Sequence, residues 1–269
     1  MFKLRREQLS QVFLHSPELV KRLIGRSSIG KKDTVIEIGS GKEIITKILL
    51  QSAKAVIAIE RDSTLCSFLK QQFNGCPNLN LVCADFLSFT LPTNPYKVFA
   101  NIPFSIEGKI VRKLIDAPDP PKDCYLIMRK ELAERLSGIP KNGLFAVMHK
   151  PWFDFEIFHR FKRSDFIPIP KVESVMLRFA KKLYPLLPES EKQQFNKFVT
   201  NIFGGGRRMR QNLKGEFNPN QIAKLARQLK INLNVKPSNL SLSQWLSIYR
   251  FSQTRKTSIP SNSIAGFSR

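Results

Sequence analysis

From residue 33 onward, short apolar runs alternate with stretches of helical period. TVIEIG (34–39), AVIAIE (55–60), LNLVCA (79–84) and YKVFAN (96–101) read as strands. The segments at about 43–52, 62–73 and 106–116 between and after them carry the three-to-four spacing of helices. A further apolar run, CYLIM (124–128), leads into RKELAERL (129–136). This βαβα order predicts a parallel sheet covered by helices. Upstream, Ser16 as cap, Pro17 at the first helical position and Glu18 in the first turn predict a helix with Leu19, Val20, Leu23 and Ile24 on one apolar face. FAVMHK (145–150), WFDFEIFHRF (152–161) and VESVMLRF (172–179) follow closely, as for an antiparallel hairpin at the sheet edge. KKLYPLLPES (181–190) marks a composition shift. Helical patterns dominate beyond it, at 191–203, about 205–215, 218–230 and 241–250. The domains expected are therefore an α/β unit over 1–183 and a small C-terminal helical domain over 184–251. Residues 252–269, Ser-rich and without apolar period, are expected to form a flexible tail.

Three consecutive strands end in suggestive chemistry. The first runs into Gly39-Ser40-Gly41, where glycines allow a tight turn and close backbone approach to a ligand ahead of a helix N-terminus. The third glycine of a dinucleotide fingerprint is missing, because Glu43 stands there, so a pyrophosphate fits poorly. The second strand ends in Glu60, at the spacing from Gly39 that lets an acid reach a ribose diol. The third ends before Asp85, which can accept from an adenine amino group or cap a turn. All three ends lie on one sheet edge, where α/β proteins bind ligands. Ribose and adenine without pyrophosphate suggest S-adenosylmethionine (SAM).

Charge adds a partner. The 269 residues hold 44 Lys+Arg against 21 Asp+Glu, a net charge of +23. That excess repels itself in a compact fold unless a polyanion is expected, and it favours nucleic acid over a membrane surface. Arg112, Lys113, Arg129, Lys130, Arg207, Arg208 and Arg210 are the candidate RNA contacts. No apolar run of about 18 residues is present, and MFKLRREQLS lacks the core of a signal peptide, so a cytoplasmic, membrane-free protein is expected. The cysteines, Cys66, Cys76, Cys83 and Cys124, show no CxxC spacing and are expected to be reduced thiols without metal.

The fourth strand ends at Asn101-Ile102-Pro103-Phe104. This N-[IL]-P-[FY] turn resembles the catalytic motif of adenine amino methyltransferases. Gln11-Val12-Phe13-Leu14 resembles the "QNFL" opening of the rRNA adenine N6-dimethyltransferase family. Phe166 through Ser174 resembles its "F-x-P-x-P-K-V-x-S" segment, and Ile202 through Lys214 its C-terminal helix signature. Resemblance spans about residues 9–250, and the "EIGSGK" and "NIPF" wording is most similar to the erythromycin-resistance (Erm) branch. It implies a Rossmann-like class I SAM-dependent methyltransferase sheet. It further implies SAM contacts from Gln11, Val12, Leu14, Gly39, Gly41, Glu60, Asp85 and Asn101. The Asn101 side-chain oxygen and the Ile102 carbonyl would accept from the target amine, Pro103 would fix the turn, and Phe104 and Phe166 would stack on the flipped base. Two positions depart from the pattern. Val12 stands where the family usually has Asn, removing a side-chain contact to the methionine end, and Glu43 replaces a glycine close to the methionine carboxylate.

The substrate implied is one adenine of 23S rRNA, naked or partly assembled, dimethylated by a monomer, with resistance to macrolide, lincosamide and streptogramin B antibiotics as the result. A housekeeping 16S rRNA dimethyltransferase is the closest rival; that branch typically reads "EIGPG" and "NLPY". An rRNA-binding assembly factor with a decayed SAM site is the third reading. A DNA adenine methyltransferase would need a target-recognition insert, and none is evident.

Overall fold

Helix α1 (Pro17–Arg26) starts on a polar cap, as its sequence demands: Ser16 Oγ accepts from the Leu19 N–H at 3.1 Å, and Leu19, Val20, Leu23 and Ile24 are buried. The computed structural model describes residues 12–205 and 208–254. The predicted site residues Gln11 and Arg207, and positions 255–269 of the expected tail, lie outside them. The chain divides into two compact units, one running to Ser137 and resuming over Phe153–Leu183, the other comprising Gly138–Trp152 and the chain from Tyr184. The boundary read at 183 therefore misses one exchange: Gly138–Trp152 packs with the second unit.

The first unit holds a seven-stranded sheet in the order β4-β3-β2-β5-β6-β9-β7. Strands β2 (Thr34–Ile38), β3 (Ala55–Glu60), β4 (Leu79–Cys83), β5 (Lys97–Asn101) and β6 (Asp123–Arg129) are parallel. Helices α2 (Ile44–Ser52), α3 (Ser63–Gln72) and α4 (Glu107–Ile115) make the crossovers, and α5 (Lys130–Ser137) follows β6. Strand β9 (Ser174–Lys181) runs antiparallel to β6, and β7 (Phe153–Arg160) antiparallel to β9. A separate ribbon pairs β1 (Phe13–Leu14) with β8 (Phe166–Ile167), Phe13 opposite Ile167 and Leu14 opposite Phe166. Strand order reverses between β2 and β5, the place where ligands enter sheets of this kind.

Two expectations change here. FAVMHK is not part of the edge hairpin: residues Leu144–His149 form helix α6 in the second unit, with Ala146, Val147 and His149 buried at helical spacing. The hairpin itself is β7 and β9. Cys66 and Cys83 are bonded to each other rather than reduced, because α3 lies on β4 and brings their Cα atoms to 5.9 Å. Cys76 and Cys124 remain free thiols.

In the second unit α6 packs on α7 (Lys192–Gly204), followed by α8 (Met209–Asn212), a 3-10 turn over Leu213–Gly215, α9 (Pro219–Leu229) and α10 (Leu242–Gln253). Reciprocal caps start α9, between Asn218 and Gln221, and α10, between Ser241 and Gln244. Its core is aromatic: Phe195 meets Trp152 at 5.8 Å and Tyr249 at 5.1 Å, both edge-on. Among the described residues no helix is long and apolar enough to cross a membrane.

The sheet edge away from the glycine turn is held by Asp123, the buried first residue of β6. It accepts from Arg178 Nε and Nη2 at 2.9 Å, from the Tyr125 hydroxyl at 2.9 Å and from Ser28 Oγ at 2.7 Å. Asp123→Ala would leave two hydroxyls without this acceptor and Arg178 with only the more exposed Glu156, at 3.4 Å. Urea denaturation should show a loss of about 3 kcal/mol, as for other buried pairs broken on one side; a loss within error of zero would remove Asp123 from the framework.

Candidate active site

Four strand ends meet at one edge. Gly39 and Gly41 adopt left-handed backbone, φ +73° and +53°, which a side chain would strain. Gly39 N–H donates to the Ile59 carbonyl at 2.8 Å, tying the turn to β3. A Cβ at Gly41 would lie 2.7 Å from Cε1 of Phe13, so the Phe13 ring requires glycine beneath it. Glu43 is also left-handed, φ 67°, immediately before α2. A glycine takes that conformation at no cost, whereas a side chain costs of order 1 kcal/mol.

Glu60, 4% exposed, accepts from Gly41 N–H through Oε2 and from Asp62 N–H through Oε1, both at 2.9 Å. Each oxygen keeps a second lone pair that a diol can use. Asp85 caps its own turn, accepting from Leu87 N–H at 2.8 Å, and lies 3.9 Å from Arg61. The capping role weighed from sequence is thus present, and the carboxylate stays at the same edge.

Asn101 ends β5. Its Nδ2 donates to the Val12 carbonyl at 2.6 Å, while Oδ1 is buried with no partner. The carbonyl partner dictates which amide atom faces Val12, so the acceptor is left for something else. The contact uses Val12 backbone, and the Val-for-Asn departure leaves it intact. Phe13, Leu14, Gly39, Ser40, Lys42 and Asn101 line one depression, with Lys42 Nζ 5.2 Å above the Phe13 ring. Ile102 is buried and its N–H donates to the Ile127 carbonyl at 3.2 Å. Pro103 and Phe104 are half-buried.

Other assignments move. Phe166 is 1% exposed and packs edge-on against Phe161 at 5.3 Å within the core that includes Leu14. Strand alternation turns its side chain inward and Ile167 outward, so its ring offers no open stacking face. Three of the expected RNA contacts are engaged by partners within the chain, Lys130 among them at the surface. Lys113 Nζ donates to the carbonyls of Phe86, Leu87 and Phe89 at 2.9, 2.8 and 2.5 Å, and burial lowers its pKa. Arg129 Nε donates to Glu107 at 2.6 Å and its Nη2 to the Phe104 carbonyl at 3.3 Å. Lys130 pairs with Glu173 at 2.7 Å. Arg112, Arg208 and Arg210 are exposed.

Two acids carry weight the sequence did not assign. Glu107 is 1% exposed at the start of α4; burial pushes its carboxyl up while Arg129 draws it down. In sequence it is one more acid in the first turn of a helix. Glu37 sits inside β2, where an acid in an otherwise apolar strand was the available signal. Burial pushes it up to about 8, against the hydrogen bond it accepts from Thr46 Oγ1 at 2.6 Å.

A family model described as ribosomal RNA adenine dimethylase matches residues 2–254. The chain is 32% identical over 257 residues to ribosomal RNA small subunit methyltransferase A of Acaryochloris marina, spanning 90% of this chain and 95% of that protein. It is 28% identical over 241 residues to an rRNA adenine N-6-methyltransferase of Bacillus anthracis, spanning 89% and 84%. The crystal structure of 23S rRNA methyltransferase ErmE matches with a TM-score of 0.82 at 24% identity, over 90% of this chain and 99% of that one. A dimethyladenosine transferase from Plasmodium falciparum matches at 0.74 and 23%, over 90% and 98%. Likeness at these identities is a likeness of fold.

Two outcomes follow from the geometry. Glu37 holds its proton more tightly folded, at about 8, than at its ordinary 4.5, so the stability it contributes is present at low pH and lost as pH rises through 8. Thermal melts should show the parent chain falling progressively below Glu37→Gln between pH 5 and pH 9; parallel curves would contradict a buried, raised carboxyl. For Arg129→Ala, turnover should fall roughly tenfold, as when a positioning contact is lost, with RNA affinity and its salt dependence unchanged. Loss of a phosphate contact would instead flatten the log–log salt slope by roughly 0.7 to 0.9.

Proposed function

The chain belongs to the ribosomal RNA adenine dimethylase family, and from that premise we infer that its substrate is an adenine of small-subunit rRNA, dimethylated at N6. It is a SAM-dependent methyltransferase, as its family is. The observation that carries the catalytic reading is Asn101: its amide nitrogen is committed to the Val12 carbonyl and its oxygen is buried without a partner. A buried acceptor without a donor is costly, and an incoming amine would satisfy it.

The site fits the cofactor. Two left-handed glycines form the turn, a carboxylate with spare lone pairs ends β3, and Asp85 ends the next strand's turn. When bound, SAM supplies an electrophilic methyl on a sulfonium. Gly39 and Gly41 would let the backbone approach it, Glu60 would accept from its ribose and Asp85 from its adenine.

An exocyclic adenine amine is a poor nucleophile because its lone pair is delocalised into the ring. Asn101 Oδ1 and the Ile102 carbonyl would accept its two hydrogens and favour a pyramidal nitrogen with a localised pair. Pro103 restricts the turn that presents the Ile102 carbonyl, and Arg129 holds the Phe104 carbonyl from behind. Phe104 would cover one face of the base. The product amine is cationic and loses its proton to water, so no strong base is required. Positioning and fixed dipoles do the catalysis.

Relatives weigh on the choice of RNA. Cyanobacterial small-subunit methyltransferases match at 30 to 33% identity across 80 to 90% of the chain, which favours 16S over the 23S rRNA implied by the Erm-like wording. That wording, "EIGSG" and "NIPF", keeps 23S rRNA as the second reading, and drug resistance belongs to that reading alone. Exposed Arg112, Arg208 and Arg210 are the proposed phosphate contacts; they supply affinity for any RNA and choose no site.

Purified protein, labelled SAM and each protein-free rRNA in turn test this. We expect 16S rRNA to be labelled, and Asn101→Ala to lose about a hundredfold in rate while binding SAM normally. Preferential labelling of 23S rRNA would reverse the substrate assignment. Labelling of neither, or near-parental turnover by Asn101→Ala, would overturn the reading itself.

A further inference from the structure

The chain between β8 and β9 presents an apolar tip to solvent. Ile167 is 57% exposed, Ile169 67% and Val172 39%, with Pro168 exposed between the two isoleucines. Branched side chains this open are costly in water, and the prolines at 168 and 170 restrict the backbone that carries them. The tip is not adrift. Its first residue belongs to β8, which pairs with β1 so that Ile167 stands opposite Phe13. Phe13 lines the depression that contains Asn101, and the residue before it, Val12, fixes the Asn101 amide. Cross-strand neighbours lie about 5 Å apart at Cβ, so the apolar tip begins beside the acceptor proposed for the target amine. Cations rim it: Lys162, Arg163 and Lys171 are exposed, and Arg163 donates to the Lys171 carbonyl at 2.9 Å, closing the loop base.

An apolar point ringed by positive charge suits nucleic acid whose bases have come apart. Phosphates meet the rim, and the tip meets base faces that water would otherwise wet. We propose that Ile167 and Ile169 form a wedge that enters the RNA next to the target adenine, packing on the bases that the adenine leaves when it turns out toward Asn101. The wedge fills the gap in the stack, so extrusion costs less and the adenine stays out longer. It also supplies the apolar contact that the buried Phe166 cannot. This rests on the rRNA reading above.

The test uses the full chain with Ile167→Ser and Ile169→Ser combined, and the rRNA that the parent protein methylates. We expect single-turnover methylation to slow by about ten- to hundredfold, the range of one or two lost base contacts. RNA affinity measured at low salt should change less than the rate does, and the salt slope should stay as it was. SAM affinity and the melting temperature should also be unchanged. Ile167→Leu with Ile169→Leu should restore most of the rate. An RNA with abasic residues flanking the target adenine, its stack already open, should be methylated at nearly equal rates by both proteins. If the Ser variant matches the parent on intact RNA, or if its defect persists in full on the abasic RNA, the wedge is wrong and the rRNA reading stands. If the parent methylates no rRNA, the reading fails first.

Discussion

A parallel strand cannot turn back to its neighbour; the chain must cross over and start again from the same end. That constraint places the carboxyl ends of β2, β3, β4 and β5 together, and the positions of Gly39, Gly41, Glu60, Asp85 and Asn101 depend on it. Register makes the convergence tight. Glu60 pairs with Cys83 across β3 and β4, so this carboxylate, proposed to hold a ribose, and the turn with Asp85 leave the sheet at the same height. Gly39 stands close enough to Asn101 that a Cβ would meet the Asn101 carbonyl at 3.8 Å. Hydrogen bonds then lock the loops: Glu60 to the glycine turn, Asn101 to Val12, and Arg129 to the Phe104 carbonyl.

Charge counts mislead unless each cation is followed to its partner. A net +23 reads as an RNA-binding surface, yet Lys113 clamps the loop after β4, Arg129 props the Asn101-to-Phe104 turn from Glu107, and Arg178 closes on Asp123 at the other sheet edge. Each of these three side chains is held by two or more acceptors of the scaffold itself. Only the exposed remainder, Arg112, Arg208 and Arg210 among them, is proposed to meet phosphate.

The two departures from the family pattern have separate physics. At position 12 the bond that orients Asn101 comes from a backbone carbonyl, which any residue supplies, so losing the Asn side chain spares it. At position 43 the backbone itself is left-handed. There the family's glycine is a conformational choice, and Glu43 carries the strain in its place.

Hydrophobic period and strand-end chemistry were legible from the sequence alone. The helix starting at Pro17 and the strand and helix segments follow from patterns whose causes are local, side-chain period, caps, and glycine's freedom at positive φ; the convergence of Gly39, Glu60, Asp85 and Asn101 was legible because the βαβ order of those segments implies parallel strands. What the fold alone decided depends on contacts between distant segments. Phe166 is core rather than open ring because β8 pairs with β1 in one register, and a shift of one residue would have exposed it instead of Ile167. Cys66 meets Cys83 because α3 lies on β4. Gly138–Trp152 joins the second unit because α6 finds α7, some fifty residues on. Glu37 and Glu107 are raised because burial strips their water, and burial is a property of the packed whole, which no stretch of sequence carries by itself.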